Sequence, residues 1–78
     1  MVKAYAMVIT PAGRSTDLVE EIRAIEGVID AHVIAGDFDI MVEIEAPSIQ
    51  AIREVIVDRM QRLKGVGTTR TYLALDED

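Results

Sequence analysis

Two clusters of polar side chains carry most of the chemistry that this sequence offers. Asp37 and Asp39 stand two residues apart beside Gly36, and neighbouring carboxylates suit an ammonium group or a hard cation. Three threonines stand within residues 68–71, and their hydroxyls can donate to or accept from a zwitterion. Each cluster also has a purely structural interpretation, because aspartate favours turns and threonine favours strands.

The sequence holds little material for catalysis. It contains no cysteine, which excludes thiolate zinc sites, disulfides and cysteine nucleophiles. His32 is the only histidine, so no histidine pair can hold a metal, and no serine stands in a recognisable nucleophile motif. We therefore predict a protein that is not an enzyme and needs neither a metal nor a cofactor, with His32 at the rim of an interface.

Composition limits the partners that we expect. The net charge of −6, from 14 acidic and 8 basic residues, repels phosphate backbones, so direct nucleic-acid binding is not expected. The longest apolar stretch, residues 4–9, is far shorter than the roughly 20 residues that span a bilayer. No signal-peptide pattern opens the chain, and we expect a cytoplasmic protein that does not bind membranes.

The elements that must position these residues follow from periodicity and turn signals. Residues 2–9, 29–35, 38–45 and 66–75 alternate as strands do, and Gly36-Asp37 predicts a two-residue hairpin turn between the second and third of them. A first helix is predicted to begin at an N-cap among residues 15–17 and to end at Gly27. A second is predicted to begin near Ser48 and to end at Lys64-Gly65. Its predicted apolar stripe comprises Ile49, Ile52, Ile56, Met60 and Leu63.

An internal repeat fixes the fold class. Shifting the chain so that Ala4 falls on Val42 also places Leu18 on Ile56, Ile22 on Met60 and Gly27 on Gly65. Two copies of one βαβ unit are implied, which predicts a single α+β domain over residues 1–78 with a ferredoxin-like βαββαβ fold. The expected sheet is antiparallel, has the strand order 4-1-3-2 and carries both helices on one face.

The opposite face of the sheet is too apolar to remain in water. Its predicted apolar members are Tyr5, Met7, Ile9, Ile34, Met41 and Tyr72. Its predicted polar members are Asp30, His32, Glu43 and Arg70. A contiguous apolar patch indicates an association surface, so we predict that two chains dimerise sheet to sheet as a dimeric α+β barrel. The alternative is the ordinary scatter of exposed apolar side chains.

Two segments resemble a known family. Residues 35–40, Ala-Gly-Asp-Phe-Asp-Ile, resemble the Gly-x-(Tyr/Phe)-Asp motif of the effector-binding (RAM) domain of the leucine-responsive regulatory protein (Lrp)/AsnC family. Leu63-Lys64-Gly65-Val66 followed by Thr69-Arg70-Thr71 resembles the close of that domain. The resemblance covers essentially the whole chain. Full-length members carry an N-terminal helix-turn-helix DNA-binding domain, whereas this chain opens on the first strand, so we expect a stand-alone RAM domain.

The resemblance implies a regulatory function. It implies amino-acid binding at the junction between subunits, dimers of facing sheets, and assembly of the dimers into larger rings, often octamers. It would place the ligand among Gly36, Asp37, Asp39, Thr69 and Thr71. The expected function is therefore small-molecule, most simply amino-acid, sensing by a homo-oligomer that modulates transcription regulation.

Two other classes of function remain open from the sequence. One is an interaction module that needs no ligand and modifies full-length Lrp/AsnC paralogues by hetero-oligomerisation, which co-purification with such a regulator would indicate. The other is a small enzyme of the dimeric α+β barrel type. That class requires a histidine or paired acids in a closed cavity, and fold-level analogy cannot decide the question.

Overall fold

Two layers build the molecule, as the alternation and the repeat predict. The computed structural model describes residues 1–76. Its strands are β1 (Val2–Val8), β2 (Val28–Val33), β3 (Ile40–Ala46) and β4 (Thr69–Leu73). Its helices are α1 (Ser15–Arg23) and α2 (Ile49–Glu54), and a π-helical segment, Val55–Met60, continues α2.

The sheet has the predicted topology. The strand order is β2-β3-β1-β4, and every neighbouring pair is antiparallel. This is the 4-1-3-2 order of a ferredoxin-like α+β domain, so the predicted fold class is confirmed. The last strand is shorter than expected, because its pairing with β1 covers only Thr69–Leu73.

The core lies between the helices and one face of the sheet. Alternate residues of β1 and β3 are fully buried there, and Leu18, Ile22 and Met60 meet them from the helices. The repeat fails at one position, since Val19 is 3% exposed but its counterpart Val57 is 42% exposed. The reason is the π turn, in which Gln61 N donates to Ile56 O at 2.8 Å, because the wider turn rotates side chains around the helix axis.

Three local predictions need correction. The pairing of β2 with β3 has the register expected for a turn centred on Gly36-Asp37. The last hydrogen bond before the turn, however, runs from Ile34 N to Asp39 O. Residues 35–38 therefore form a four-residue loop rather than a two-residue turn. Residues 15–17 lie in the first turn of α1 rather than at its cap, which is Arg14 without a side-chain hydrogen bond. Ile49, the first residue of the predicted apolar stripe, is 61% exposed and lies outside the core.

No helix in residues 1–76 combines the length and apolar character that crossing a membrane requires.

Gly27 joins α1 to β2 where the second helix crosses above, and its substitution should be costly. Its φ is +101°, and an added Cβ would lie 2.6 Å from Val55 Cγ2. We expect Gly27→Ala to lower the free energy of unfolding by about 2–4 kcal/mol, from backbone strain together with overpacking. Urea denaturation monitored by circular dichroism measures this loss.

Gly13 supplies the matched control for that substitution. Its φ is +84°, but nothing lies within 4 Å of an added Cβ. Gly13→Ala should therefore cost only the backbone term, about 1 kcal/mol. Equal losses for the two variants would contradict the steric argument at Val55.

Candidate functional site

The face of the sheet that carries no helix, here called the open face, gathers the side chains predicted to lie there. Strand pairing sets them in rows, because residues directly opposite in an antiparallel pair share a face. One row runs His32, Met41, Met7, Arg70, and the next runs Asp30, Glu43, Tyr5, Tyr72. Tyr72 is 53% exposed. Apolar side chains thus occupy the middle of the open face, with charged ones around them.

Ile9 and Ile34 extend this apolar area just beyond the strand ends. Ile9 N donates to Thr68 O at 2.9 Å, and Ile34 N donates to Asp39 O at 2.9 Å. The sheet therefore continues for one residue past β1 and β2, and alternation places both side chains on the open face.

Most charged residues of the open face are paired within the chain. Lys3 Nζ lies 3.2 Å from Glu43 Oε2, and His32 Nε2 lies 3.0 Å from Asp30 Oδ2. Arg70 differs, because it makes no ion pair or side-chain hydrogen bond with any residue of the described range 1–76. Its guanidinium is therefore available to a ligand or to a second chain.

One end of the open face holds a depression of about 620 Å³, here called the open-face cavity. It is lined by Ile9, Asp37, Phe38, Thr68, Arg70 and Tyr72. Asp37, like Arg70, has no ion-pair or side-chain hydrogen-bond partner within residues 1–76. The cavity thus combines an unengaged carboxylate, an unengaged guanidinium and a hydroxyl with apolar and aromatic surface.

The two aspartates of the loop have different roles in the chain. Asp39 Oδ2 accepts a hydrogen bond from Thr10 N at 2.9 Å, while Asp39 N donates to Val8 O. Asp39 therefore fastens the loop to the end of β1. Asp37 lies at the exposed tip beside Gly36, which adopts a φ of +154°, and it contacts the cavity directly.

Thr69 and Thr71 lie on the other side of the sheet. They pair with Val8 and Ala6, whose side chains are buried under the helices. Thr69 Oγ1 accepts from Gln61 Nε2 at 3.0 Å, and Thr71 borders a separate apolar groove against the second helix. Within one chain, Gly36, Asp37 and Asp39 are thus brought together, whereas Thr69 and Thr71 are not brought to them.

Sequence reasoning placed Arg70 on the open face without assigning it to a binding site, and it included Thr68 in the threonine cluster but not among the expected ligand-binding residues. The available signal was alternation along β4, which puts Thr68, Arg70 and Tyr72 on one face and Thr69 and Thr71 on the other. No group of three or more His, Cys, Asp or Glu side chains within residues 1–76 is arranged to hold a metal ion.

The fold and this face define the class of protein, a ferredoxin-like α+β domain with an uncovered sheet. The family model described as the Lrp/AsnC ligand binding domain matches residues 3–77. The chain belongs to this family.

Known relatives agree with the family assignment. The leucine-responsive regulatory protein of Escherichia coli K12 is 32% identical over 56 residues, which cover 72% of this chain and 34% of that protein. The crystal structure of a protein designated FFRP-DM1 superposes with a TM-score of 0.89 at 25% identity, covering 96% of this chain and 100% of that one. The predicted resemblance to the Lrp/AsnC ligand-binding domain is confirmed.

A structure with a bound amino acid has the same fold. It is a complex of a transcriptional regulator from Neisseria meningitidis with L-Met, with a TM-score of 0.85 at 17% identity, covering 97% of this chain and 51% of the regulator. The present chain matches about a third of the length of the leucine-responsive regulatory protein.

Proposed function

We propose that this chain is a regulatory domain that binds a free amino acid in the open-face cavity and reports its presence through self-association. One observation carries the proposal. Asp37 and Arg70 line the same cavity, and neither side chain has an ion-pair or hydrogen-bond partner within residues 1–76. A free amino acid carries an ammonium and a carboxylate on the same α-carbon. These two charges are complementary to the carboxylate of Asp37 and the guanidinium of Arg70. The cavity volume of about 620 Å³ suits a small ligand.

Each group of the ligand has a counterpart in the cavity. The ammonium binds the Asp37 carboxylate, and the carboxylate binds the Arg70 guanidinium, with the Thr68 hydroxyl as a further donor. The ligand side chain packs against Ile9, Phe38 and Tyr72, so an apolar amino acid is preferred. The L-Met complex of the Neisseria regulator supports this class of ligand for the fold.

The predicted threonines require a second subunit. Thr69 and Thr71 face away from the cavity of their own chain, so they contact a ligand only when it lies at a junction between chains. In that arrangement Gly36, Asp37 and Asp39 come from one subunit and the threonines from another. The family resemblance implies only that the amino acid binds at a junction between subunits, and this division of residues is our proposal.

The apolar middle of the open face supports assembly as dimers of facing sheets. Tyr5, Met7 and Met41 lie together there and are only half-buried within one chain. A second copy removes this surface from water, and further contacts join dimers into a larger ring such as an octamer. A ligand at the subunit junction then stabilises whichever assembly binds it more tightly.

A regulatory function fits the site better than a catalytic one. His32 lies on the open face, paired with Asp30, and its side chain is 58% exposed. It lines none of the cavities described above. The proposed setting is the cytoplasm, and the proposed downstream partners are full-length Lrp/AsnC regulators.

Isothermal titration calorimetry with the twenty amino acids tests the proposal. We expect at least one apolar amino acid to bind, and Asp37→Ala to remove measurable binding while leaving stability unchanged, because the Asp37 side chain has no partner among residues 1–76. Asp39→Ala should instead lower the free energy of unfolding by about 1–3 kcal/mol, since Thr10 N–H loses a charged acceptor. Wild-type protein that binds none of the twenty would reject the amino-acid proposal.

A further inference from the structure

The two edges of the sheet differ in what they offer to another strand. β2 and β4 are the edge strands, and an edge normally presents a row of unpaired N–H and C=O groups. The groups that point outward belong to alternate residues, those in the pairs that do not exchange hydrogen bonds with the neighbouring strand. The two edges can therefore be compared residue by residue.

The edge at β2 is blocked by the chain's own side chains. The bond from Ile34 N to Asp39 O sets the alternation, so Ala31 and Val33 are the outward residues, and the block lies at Ala31 in the middle of the strand. Ala31 N donates to Asp30 Oδ1 at 2.9 Å, and Ala31 O accepts from Arg23 Nε at 3.0 Å and Nη2 at 2.8 Å. An irregularity between Val28 and Asp30 also interrupts the register. A strand added at β2 would have to displace these bonds.

The edge at β4 is open. Ala74 N donates to Lys3 O, so the inward residues of β4 are Tyr72 and Arg70, and the outward ones are Thr69, Thr71 and Leu73. Among the strands of the described part of the chain, only β1 pairs with β4. None of the outward N–H and C=O groups has a side-chain partner within residues 1–76. The three outward residues therefore offer all of their backbone N–H and C=O groups to an added strand.

Apolar surface flanks this open edge. On the helix side, a groove of about 340 Å³ is lined by Ile49, Ile52, Arg53, Ile56, Val57, Thr71 and Leu73. Ile49, Val57 and Leu73 are exposed there. A partner that adds a strand to β4 would form hydrogen bonds with its outward N–H and C=O groups. If that partner also carries an apolar helix face, it would cover the groove at the same time.

The structure assigns this edge to a second copy of the chain, paired β4 to β4 in antiparallel fashion about Thr71. That register is self-complementary: Thr71 lies opposite its own copy, and Thr69 lies opposite Leu73. The only charged residue of β4, Arg70, falls opposite Tyr72 of the second copy, which avoids a like-charge pair and allows a cation–π contact. The α2 helices of the two copies then lie side by side over the β4–β4 junction, and each covers the apolar groove of the other.

This contact is separate from the dimer of facing sheets. It joins two four-stranded sheets edge to edge, leaves both open faces on the same side, and combines with the facing-sheet contact to build assemblies larger than a dimer. It also brings Tyr72 of the second copy beside Arg70 at the open-face cavity. That last consequence rests on the proposed ligand site, whereas the edge contact does not.

Thr71→Pro tests the contact through the mass of the assembly. Proline removes an outward N–H and places its ring in the β4–β4 junction, but it breaks no bond between β1 and β4. We expect the mass measured by multi-angle light scattering to fall to half or less of the wild-type value, with an unchanged far-ultraviolet circular dichroism spectrum. Tyr72→Pro is the matched control, because the Tyr72 N–H points inward and bonds to β1. Removing that N–H should destabilise the fold, whereas Thr71→Pro should not.

Cross-linking tests the register without relying on proline. The chain has no cysteine, and residues in a hydrogen-bonded antiparallel pair have Cα atoms about 5.5 Å apart, within disulfide range. Thr71→Cys should therefore form a covalent dimer on mild oxidation, whereas Thr16→Cys, exposed on α1, should not. Thr71 faces the helix side, so a facing-sheet dimer cannot produce this cross-link. Unchanged mass for Thr71→Pro with no cross-link through Thr71→Cys would overturn the assignment and point to an extended segment of another protein instead.

Discussion

Met7→Lys is expected to abolish the facing-sheet dimer. Met7 lies in the middle of the open face, and its cross-strand neighbours are Met41 and Arg70, so the new ammonium finds no carboxylate opposite. A buried, unpaired charge costs on the order of 3–5 kcal/mol, and a symmetric contact buries two. The dissociation constant should rise by about 10⁴-fold or more.

Light scattering distinguishes this result from loss of the edge contact. Met7→Lys should leave a pair of chains joined through β4, and the combination with Thr71→Pro should leave a particle of 8.6 kDa. Val33→Lys is the matched control, because Val33 is 48% exposed on an edge strand and lies opposite Ile40, on the helix side of the sheet. A Met7→Lys assembly of wild-type mass would show that the open face is not the interface.

Arg70→Glu is expected to abolish amino-acid binding to the open-face cavity. The substitution replaces the cation that holds the ligand carboxylate with a like charge. Loss of a charged hydrogen bond costs about 1.5–3 kcal/mol, so affinity should fall by roughly 10- to 150-fold from that loss alone, with repulsion adding to it. Calorimetry with the tightest-binding amino acid measures the change.

Two further variants make this experiment specific. Arg70→Lys keeps the charge but cannot bind the ligand carboxylate in a bidentate manner, so it should bind the amino acid with reduced affinity. Arg62→Glu makes the same change of net charge at an exposed arginine that does not line the open-face cavity, and it should leave affinity unchanged. Equal weakening by Arg62→Glu and Arg70→Glu would mean that net charge, rather than the cavity, determines binding.

The fold was predictable because its signals are local and repeated. Alternation in β1 and β3 marks the buried face at every second residue, and the two βαβ units give the same pattern twice. The failures came where a local signal admits two structures. Helical spacing predicts where Val57 points only for an α-helix, and the π-helical segment Val55–Met60 changes that direction without any mark in the sequence. Ile49 is exposed for another reason, since it is the first residue of α2.

The candidate site was less predictable because its roles depend on distant neighbours. Asp37 and Asp39 look equivalent in sequence, but Asp39 is held by Thr10 N, which is 29 residues away. Only the tertiary fold separates the structural aspartate from the available one. Thr69 and Thr71 were chosen by resemblance, whereas alternation alone would have selected Thr68 and Arg70 for the same face as the cavity.

The bonds that Arg23 and Asp30 make to Ala31 bear on the chain's solubility. A sheet with two accepting edges can add copies without end, as fibrils do. Here one edge is sealed, so edge-to-edge growth stops after a single pairing through β4 and yields a finite particle. Removing both side chains in Arg23→Ala/Asp30→Ala would free the N–H and C=O of Ala31 for another strand, and we expect that double variant to form filaments.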